Sequence, residues 1–288
     1  MVQLDVFSHQ ALAGNMLAVF LKATGLTTEV MQSLARETNL SETTFILPRD
    51  AATEKERGVR VRIFTVAEEL PFAGHPTLGT AFALRGSTGA DLVTLDLNVG
   101  RVPVRFTESP GQPVFGEMTQ VDPKFGVIHD RNTVAAALGI PADDFDPALP
   151  IQTVSTGMPF IITPLRSLQV IQNLKVDPNR IARYAEKSDG KFFYFVTGET
   201  VDPTARLHAR MFFYNGEDPA TGSAAGCAAA WMAAHGVAAS DDRVLIEQGI
   251  EMKRPSRIFV TATRKGDSVV NVRVGGNAVE VMRSEVFL

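Results

Sequence analysis

Four side chains able to move or steer a proton stand at chain junctions: Glu42, His75, Asp218 and Ser223. Asp218 and Ser223 belong to Gly216-Glu217-Asp218-Pro219-Ala220-Thr221-Gly222-Ser223-Ala224-Ala225-Gly226. This glycine-broken turn follows an expected strand, Arg206 to Tyr214, and opens an alanine-rich helix running toward His235. A turn entering a helix presents unpaired backbone N–H groups at the positive end of the helix dipole, which suits an anion. Thr221 and Gly222 stand beside those groups. His75 lies in a second such turn, Pro71-Phe72-Ala73-Gly74-His75-Pro76, expected to lead into a helix from Thr77 to about Leu84, ended by Gly86. Glu42 falls between a helix that should stop near Asn39 and a strand, Thr43–Leu47. With Leu40 and Phe45 beside it, partial burial there would suit a general base. Each residue alone also fits a plainer role: an exposed loop acid, a capping or core histidine, a first-turn acid, a first-turn serine. Their placement at two similar turns is what points to chemistry.

The two turns repeat one another. Arg62-Ile63-Phe64, Glu69-Leu70-Pro71-Phe72-Ala73 and Gly79-Thr80-Ala81-Phe82-Ala83 align, with one gap, on Arg210-Met211-Phe212, Glu217-Asp218-Pro219-Ala220 and Gly226-Cys227-Ala228-Ala229-Ala230. A strand, an acidic turn with proline, a glycine and an alanine-rich helix recur in the same order about half a chain apart. That spacing predicts two similar domains, each with one glycine-led helix. Two such helix N-termini facing one cleft would clamp an anionic substrate.

Other chemistries lack their signatures. No G-K-[ST] follows a glycine-rich loop, and neither turn reads G-x-G-x-x-G. Thr221 occupies the place of the first glycine of a G-x-S-x-G elbow around Ser223. His9, His75, His129, His208 and His235 lack metal-ligand spacing. The single cysteine, Cys227, precludes an intrachain disulfide or a cysteine zinc cluster and reads as a small core residue. What remains is proton transfer by side-chain acids and bases, with no cofactor and no metal. The 288 residues are 45% hydrophobic and 21% charged with a net charge of −4, and both signs are mixed along the chain. Such a balance gives no footprint for nucleic acid or a membrane surface. No leader is expected before the strand-like Val2–Phe7, and no apolar run approaches a spanning helix, so a cytoplasmic protein is expected.

The elements that must position these residues alternate unevenly. Thr27 is expected to cap a helix carrying Val30, Met31, Leu34 and Ala35 on one face, with Leu26 stapled over Met31. Asp50–Gly58 reads as an exposed loop. Strands are expected at Val59–Val66, Leu92–Leu97, Arg101–Phe106 and Val114–Thr119. Val121–Phe125 reads as a linker between domains 1–122 and 123–288, the last strand being free to return to the first domain. Helices are then expected near Asn132–Leu138 and Asn179–Glu186, and strands at Ile151–Val154, Pro159–Thr163, Phe192–Val196, Arg243–Glu247, Arg257–Thr263, Val269–Val274 and Ala278–Met282. Many strands with few helices make an α+β protein.

Asn39-Leu40-Ser41-Glu42-Thr43-Thr44-Phe45, Glu69 through Gly79 and Gly216 through Ala224 together resemble the PhzF, or phenazine-biosynthesis-like, isomerase family. Met1–Phe20, with Gly14-Asn15, is similar to its N-terminus, so the likeness spans nearly the whole chain. The resemblance implies a diaminopimelate-epimerase-like fold: two pseudo-symmetric domains, each a curled, mostly antiparallel sheet around a central helix, with the active site between them. It implies Glu42 as the catalytic acid/base, His75, Asp218 and Ser223 lining the site, and isomerisation similar to that of trans-2,3-dihydro-3-hydroxyanthranilate. Gly74, Thr221 and Gly222 would help hold a small carboxylate-bearing substrate, and a homodimer is implied. Met16 and Val66 stand where the family usually has proline. The epimerases of this fold use two opposed cysteines, and Cys227 has no partner. Epimerisation by carboxylates, or a non-catalytic binding protein of the same fold, remain the alternatives.

Overall fold

The computed structural model describes residues 1–213 and 216–288, so Tyr214, expected to end a strand, lies outside the described residues. In chain order the first part contains β1 (Val2–Val6), β2 (Asn15–Phe20), α1 (Thr28–Thr38), β3 (Glu42–Leu47), α2 (Ala51–Arg57), β4 (Val59–Phe64), β5 (Glu69–Leu70), α3 (Gly74–Thr88), β6 (Leu92–Leu97), β7 (Gly100–Thr107) and β8 (Phe115–Thr119). There follow β9 (Lys124–His129), α4 (Arg131–Leu138), a 3-10 turn (Ala142–Asp144), β10 (Ile151–Ser155), β11 (Pro159–Pro164), α5 (Leu168–Gln172), α6 (Pro178–Ala185) and β12 (Phe192–Thr197). The chain ends with β13 (Ala205–Phe213), β14 (Gly216–Asp218), α7 (Gly222–Ala234), β15 (Val244–Gln248), β16 (Ser256–Lys265), β17 (Ser268–Gly276) and β18 (Ala278–Arg283). Two compact units result: Met1–Thr119 with Gly275–Leu288, and Gln120–Val274.

In the first unit the sheet curls around α3, which packs on β1, β2, β3, β6, β7, β8 and β18. The strand β1 pairs antiparallel with both β2 and β18. Strands β2 and β3 run parallel, β3 and β4 antiparallel, β4 pairs antiparallel with β5 and parallel with β6, and β6 pairs antiparallel with β7. The period-2 alternation of a strand explains the layering. Thr44 of β3 turns to α3, where Thr80 Oγ1 donates to its hydroxyl at 2.8 Å. Phe45 turns the other way and packs with Phe20, Phe64 and the Met31, Leu34, Ala35 face of α1. Thr27 caps α1, Leu26 packs against that cluster, and Asn39 ends the helix in the left-handed conformation (φ 51°), as the sequence predicts.

The second unit repeats this pairing within itself. Strands β9 and β10 are antiparallel, as are β10 and β11; β11 and β12 are parallel, β12 and β13 antiparallel. β13 then pairs antiparallel with β14 and parallel with β15, and β15 pairs antiparallel with β16. The helix α7 packs on β10, β11 and β16 and is buried from Ala224 through Ala233. The small side chains from Ala224 through Ala230 let these strands approach closely. A second apolar layer joins Phe193 and Phe195 of β12 to Val134, Leu138, Ile171 and Ile181 of α4, α5 and α6.

The aligned residues of the two halves do the same work. Arg62 Nε and Nη2 donate to the two carboxylate oxygens of Glu69 at 2.8 and 2.5 Å, and Arg210 forms the same fork on Glu217 at 2.7 and 2.8 Å. Each guanidinium also lies over a ring two residues on, Phe64 at 5.0 Å and Phe212 at 4.9 Å from the centroid. The aligned helix glycines are close-approach positions. A Cβ at Gly79 would come within 2.6 Å of Leu17 and Val6, and one at Gly226 within 1.9 Å of Gln120 Oε1.

Some elements differ from expectation. Asp50–Gly58 holds the helix α2, although it buries no residue. Local bonds form it: Asp50 accepts from Thr53 N at 3.0 Å and Thr53 Oγ1 at 2.6 Å, while Glu54 accepts from Arg49 N. Helix α3 starts at Gly74 rather than Thr77, since Pro76 in a first turn forfeits no intrahelical bond, and it runs through Gly86 to Gly89 (φ 66°). Strand β9 and helix α5 escape periodicity because five of six β9 residues are exposed and α5 is a single capped turn. The short strands β5 and β14 place the acidic turns back on β4 and β13 before each helix begins.

Candidate active site

Glu42 is the first residue of β3 and is 7% exposed; His75 is the second residue of α3 and is 4% exposed. The structure brings them together, with His75 Nε2 3.7 Å from Glu42 Oε2. Burial pushes the imidazole down to about 3, opposed in part by a hydrogen bond with the Met16 backbone. His75 is therefore neutral at ordinary pH, and the contact is one between a carboxyl group and a neutral imidazole rather than an ion pair. Its Nε2 is buried with no hydrogen-bond partner among the described residues. On the other side of the ring, Asn15 Nδ2 lies 3.3 Å from Nδ1.

Asn15 is a site residue the sequence showed only as half of a Gly14-Asn15 turn. Gly14 has φ 73°, and a Cβ there would stand 2.3 Å from the Val6 carbonyl oxygen. That tight turn lets buried Asn15 open β2 against the histidine. Buried threonines fix the two elements beneath the pair. Thr80 of α3 bonds Thr44 of β3, Thr44 donates to Ala18 O, and Thr43 shares a 2.8 Å contact with Thr38 of α1.

In the second unit Asp218, 3% exposed, ends β14. Thr221 follows as the N-cap residue of α7, with Gly222 and half-buried Ser223 in its first turn. Thr221 Oγ1 donates to Asp218 Oδ2 at 2.5 Å instead of capping the helix. Gln120 Nε2 donates to Gly222 O, and its Oε1 accepts from Thr156. Gln248 reaches the turn from the end of β15 and was not foreseen, because nothing in its local sequence marks it.

The helix caps set α3 and α7 apart. Side chains of Thr27, Asp50, Asp130, Ser167 and Asp177 cap α1, α2, α4, α5 and α6 respectively. Neither Ala73 at α3 nor Thr221 at α7 makes a side-chain cap bond. A cap contributes about 1 kcal/mol, and each of these two helices forgoes that stabilisation of its first-turn N–H groups. Gly74 and His75 supply such groups on α3, Gly222 and Ser223 on α7. Among the described residues no three His, Cys, Asp or Glu side chains gather in an arrangement that could hold a metal ion. Among them, no helix is long and apolar enough to cross a membrane.

A family model described as phenazine biosynthesis-like protein matches residues 4–284. The chain belongs to that family. A trans-2,3-dihydro-3-hydroxyanthranilate isomerase of Pseudomonas aeruginosa is 33% identical across 100% of this chain and 99% of its own length. An uncharacterised isomerase of Mesorhizobium japonicum is 38% identical across 99% and 97%. The crystal structure of a PhzF-family phenazine biosynthesis protein from Bacillus anthracis superposes with a TM-score of 0.88 at 27% identity, covering 100% of this chain and 98% of that one. The α+β fold expected from the resemblance is the fold found, and this member of the PhzF family is an isomerase.

Proposed function

We propose that the protein moves a proton between carbons of a small, carboxylate-bearing substrate without a cofactor, as in isomerisation of trans-2,3-dihydro-3-hydroxyanthranilate. The observation that carries this is the buried Glu42 carboxyl 3.7 Å from a neutral His75 at the mouth of an uncapped helix. Glu42 takes a proton from one substrate carbon, and the electron pair of the broken C–H bond shifts into the adjoining π-system. The same carboxyl, its proton exchanging with solvent while the substrate is bound, then protonates a second carbon as the double bonds move. No electron leaves the substrate, so no redox partner enters the balance. His75, neutral throughout, orients the Glu42 carboxyl, and Asp218 with Ser223 hydrogen-bonds the substrate's polar groups. N–H groups at Gly74 and Gly222, with Thr221 beside them, hold the substrate carboxylate and the charge that develops on deprotonation. Family likeness supports assigning all four side chains to one reaction, and it extends the proposal to a cytoplasmic homodimer; sedimentation at the mass of one chain would overturn the dimer.

The test is solvent-deuterium incorporation into trans-2,3-dihydro-3-hydroxyanthranilate and simple anthranilate-like acids. Wild-type protein should incorporate deuterium, and Glu42→Gln should slow incorporation roughly 10²–10⁴-fold with its fold intact. A fully active Glu42→Gln overturns the assignment. Binding of these acids by the wild type without any exchange would favour a non-catalytic member of the fold.

A further inference from the structure

Gln248 is fully buried at the end of β15, and its side-chain amide is bonded in a way that leaves no choice of orientation. The backbone N–H of Thr221 donates to Gln248 Oε1 at 3.2 Å, and Gln248 Nε2 donates to the Asp218 carbonyl at 2.7 Å. A backbone N–H only donates and a carbonyl only accepts, so the two ends of the amide are identified by their partners. The second Nε2 proton goes to Thr221 Oγ1 at 3.0 Å. Having accepted there, the Thr221 hydroxyl directs its own proton to Asp218 Oδ2, 2.5 Å away. Oε1 accepts a further bond from Tyr194 O–H at 3.0 Å; burial raises that phenol well above its usual range and keeps it a donor.

The chain beyond Gln248 is fitted to the same turn. Gly249 has φ 78°, and a Cβ there would lie 2.5 Å from the Pro219 carbonyl oxygen. Burying an amide is costly unless it is bonded, and here every bond but one goes to the Asp218–Thr221 turn. The arrangement has two consequences for the helix it adjoins. It directs the Thr221 hydroxyl onto the Asp218 carboxylate, and it engages the hydroxyl that would otherwise cap α7.

We infer that Gln248 is a positioning residue: through Thr221 it sets the Asp218 carboxylate and keeps the N-terminus of α7 uncapped for the substrate. This rests on the role proposed above for Asp218 and α7. The test compares Gln248→Met, Gln248→Glu, Thr221→Val and the Thr221→Val/Gln248→Met double variant on trans-2,3-dihydro-3-hydroxyanthranilate, with crystal structures of Gln248→Met and Thr221→Val. Loss of the Thr221 bond to the Asp218 carboxylate, directly in Thr221→Val and through the released Thr221 hydroxyl in the Gln248 variants, predicts kcat lower by roughly ten- to hundredfold in each single variant, with a much smaller change in KM. Because the two residues act in series, the double variant should be no slower than the worse single one. Unchanged kcat, or losses that multiply in the double variant, overturns the inference. If Gln248→Met does not fold, Thr221→Val, which removes only the hydroxyl, decides by the same kcat criterion. If the wild type does not turn the substrate over, it is the reading of the reaction that fails. The structures then decide: a rotated Asp218 carboxylate in the variants supports the positioning role, and an unmoved one overturns it.

Discussion

His208 offers the sharpest test of how the second unit is held together around its turn. It is fully buried on β13, with Nδ1 2.8 Å from Glu247 Oε1 and Nε2 3.0 Å from Glu251 Oε1. Arg210 Nε, two residues on, lies 4.0 Å from Glu251 Oε2, and Glu247 also accepts the backbone N–H groups of Val201 and Asp202. Burial works against a charged imidazole, but the two carboxylates outweigh it and raise His208 from 6.5 to about 9. The folded protein therefore holds this proton more tightly than the unfolded chain. The stabilisation is complete below the unfolded value of 6.5 and is lost as pH rises through about 9. At 1.36 kcal/mol per pKa unit that amounts to about 3 kcal/mol. On the acid side the signs reverse. Burial raises Glu247 and Glu251, but the bonds and charge of His208 hold both below the ordinary carboxylate value of 4.5, so their contribution disappears as pH falls below that. Thermal unfolding followed from pH 6 to 9.5 should show Tm falling by roughly 6–12 °C, at about 2–4 °C per kcal/mol for a protein of this size. His208→Gln should start less stable, with buried Glu247 and half-buried Glu251 deprived of the imidazolium between them, and should lack most of that alkaline slope. A wild-type Tm flat across this range, or the same slope in His208→Gln, would refute the account.

Gly226→Ala should destabilise the second unit by about 1–3 kcal/mol in urea unfolding, because its methyl group would displace Gln120 from the bond to Gly222 O. Gly79→Ala should cost a similar amount in the first unit, its methyl group meeting fully buried Leu17 and Val6; a variant as stable as wild type would contradict the tight approach. Cys227 is fully buried, and burial pushes its thiol up to about 11, so thiol reagents should modify it only after unfolding. Reaction in the native protein at pH 8 would contradict that. Glu42→Gln, slowed roughly 10²–10⁴-fold in carbon-proton exchange, should keep a Tm within a few degrees of wild type, as measured by deuterium incorporation and thermal unfolding.

Local chemistry made much of this protein legible before its structure. Thr27 and Asn39 bound α1 because a cap hydroxyl and a left-handed asparagine act over a few residues. The Arg62–Glu69 and Arg210–Glu217 alignments announced two equivalent halves because the same clamp must recur wherever the same strand, turn and helix recur. Glu42 and His75 were visible through the motifs around them, and each falls at an element junction. Helix α2 was missed because capping alone, with no apolar face, sustains it.

Tertiary structure alone decided the rest. Strand order and direction, with β2–β3 and β4–β6 parallel among antiparallel neighbours, depend on partners far apart in sequence. The 3.7 Å approach of His75 to Glu42, and the burial that keeps His75 neutral, arise only when α3 is enclosed by the sheet. Asn15 and Gln248 gain their roles in the same way. An amide side chain carries no sign of its task until the fold brings donors and acceptors around it, and desolvation then makes each of those bonds matter.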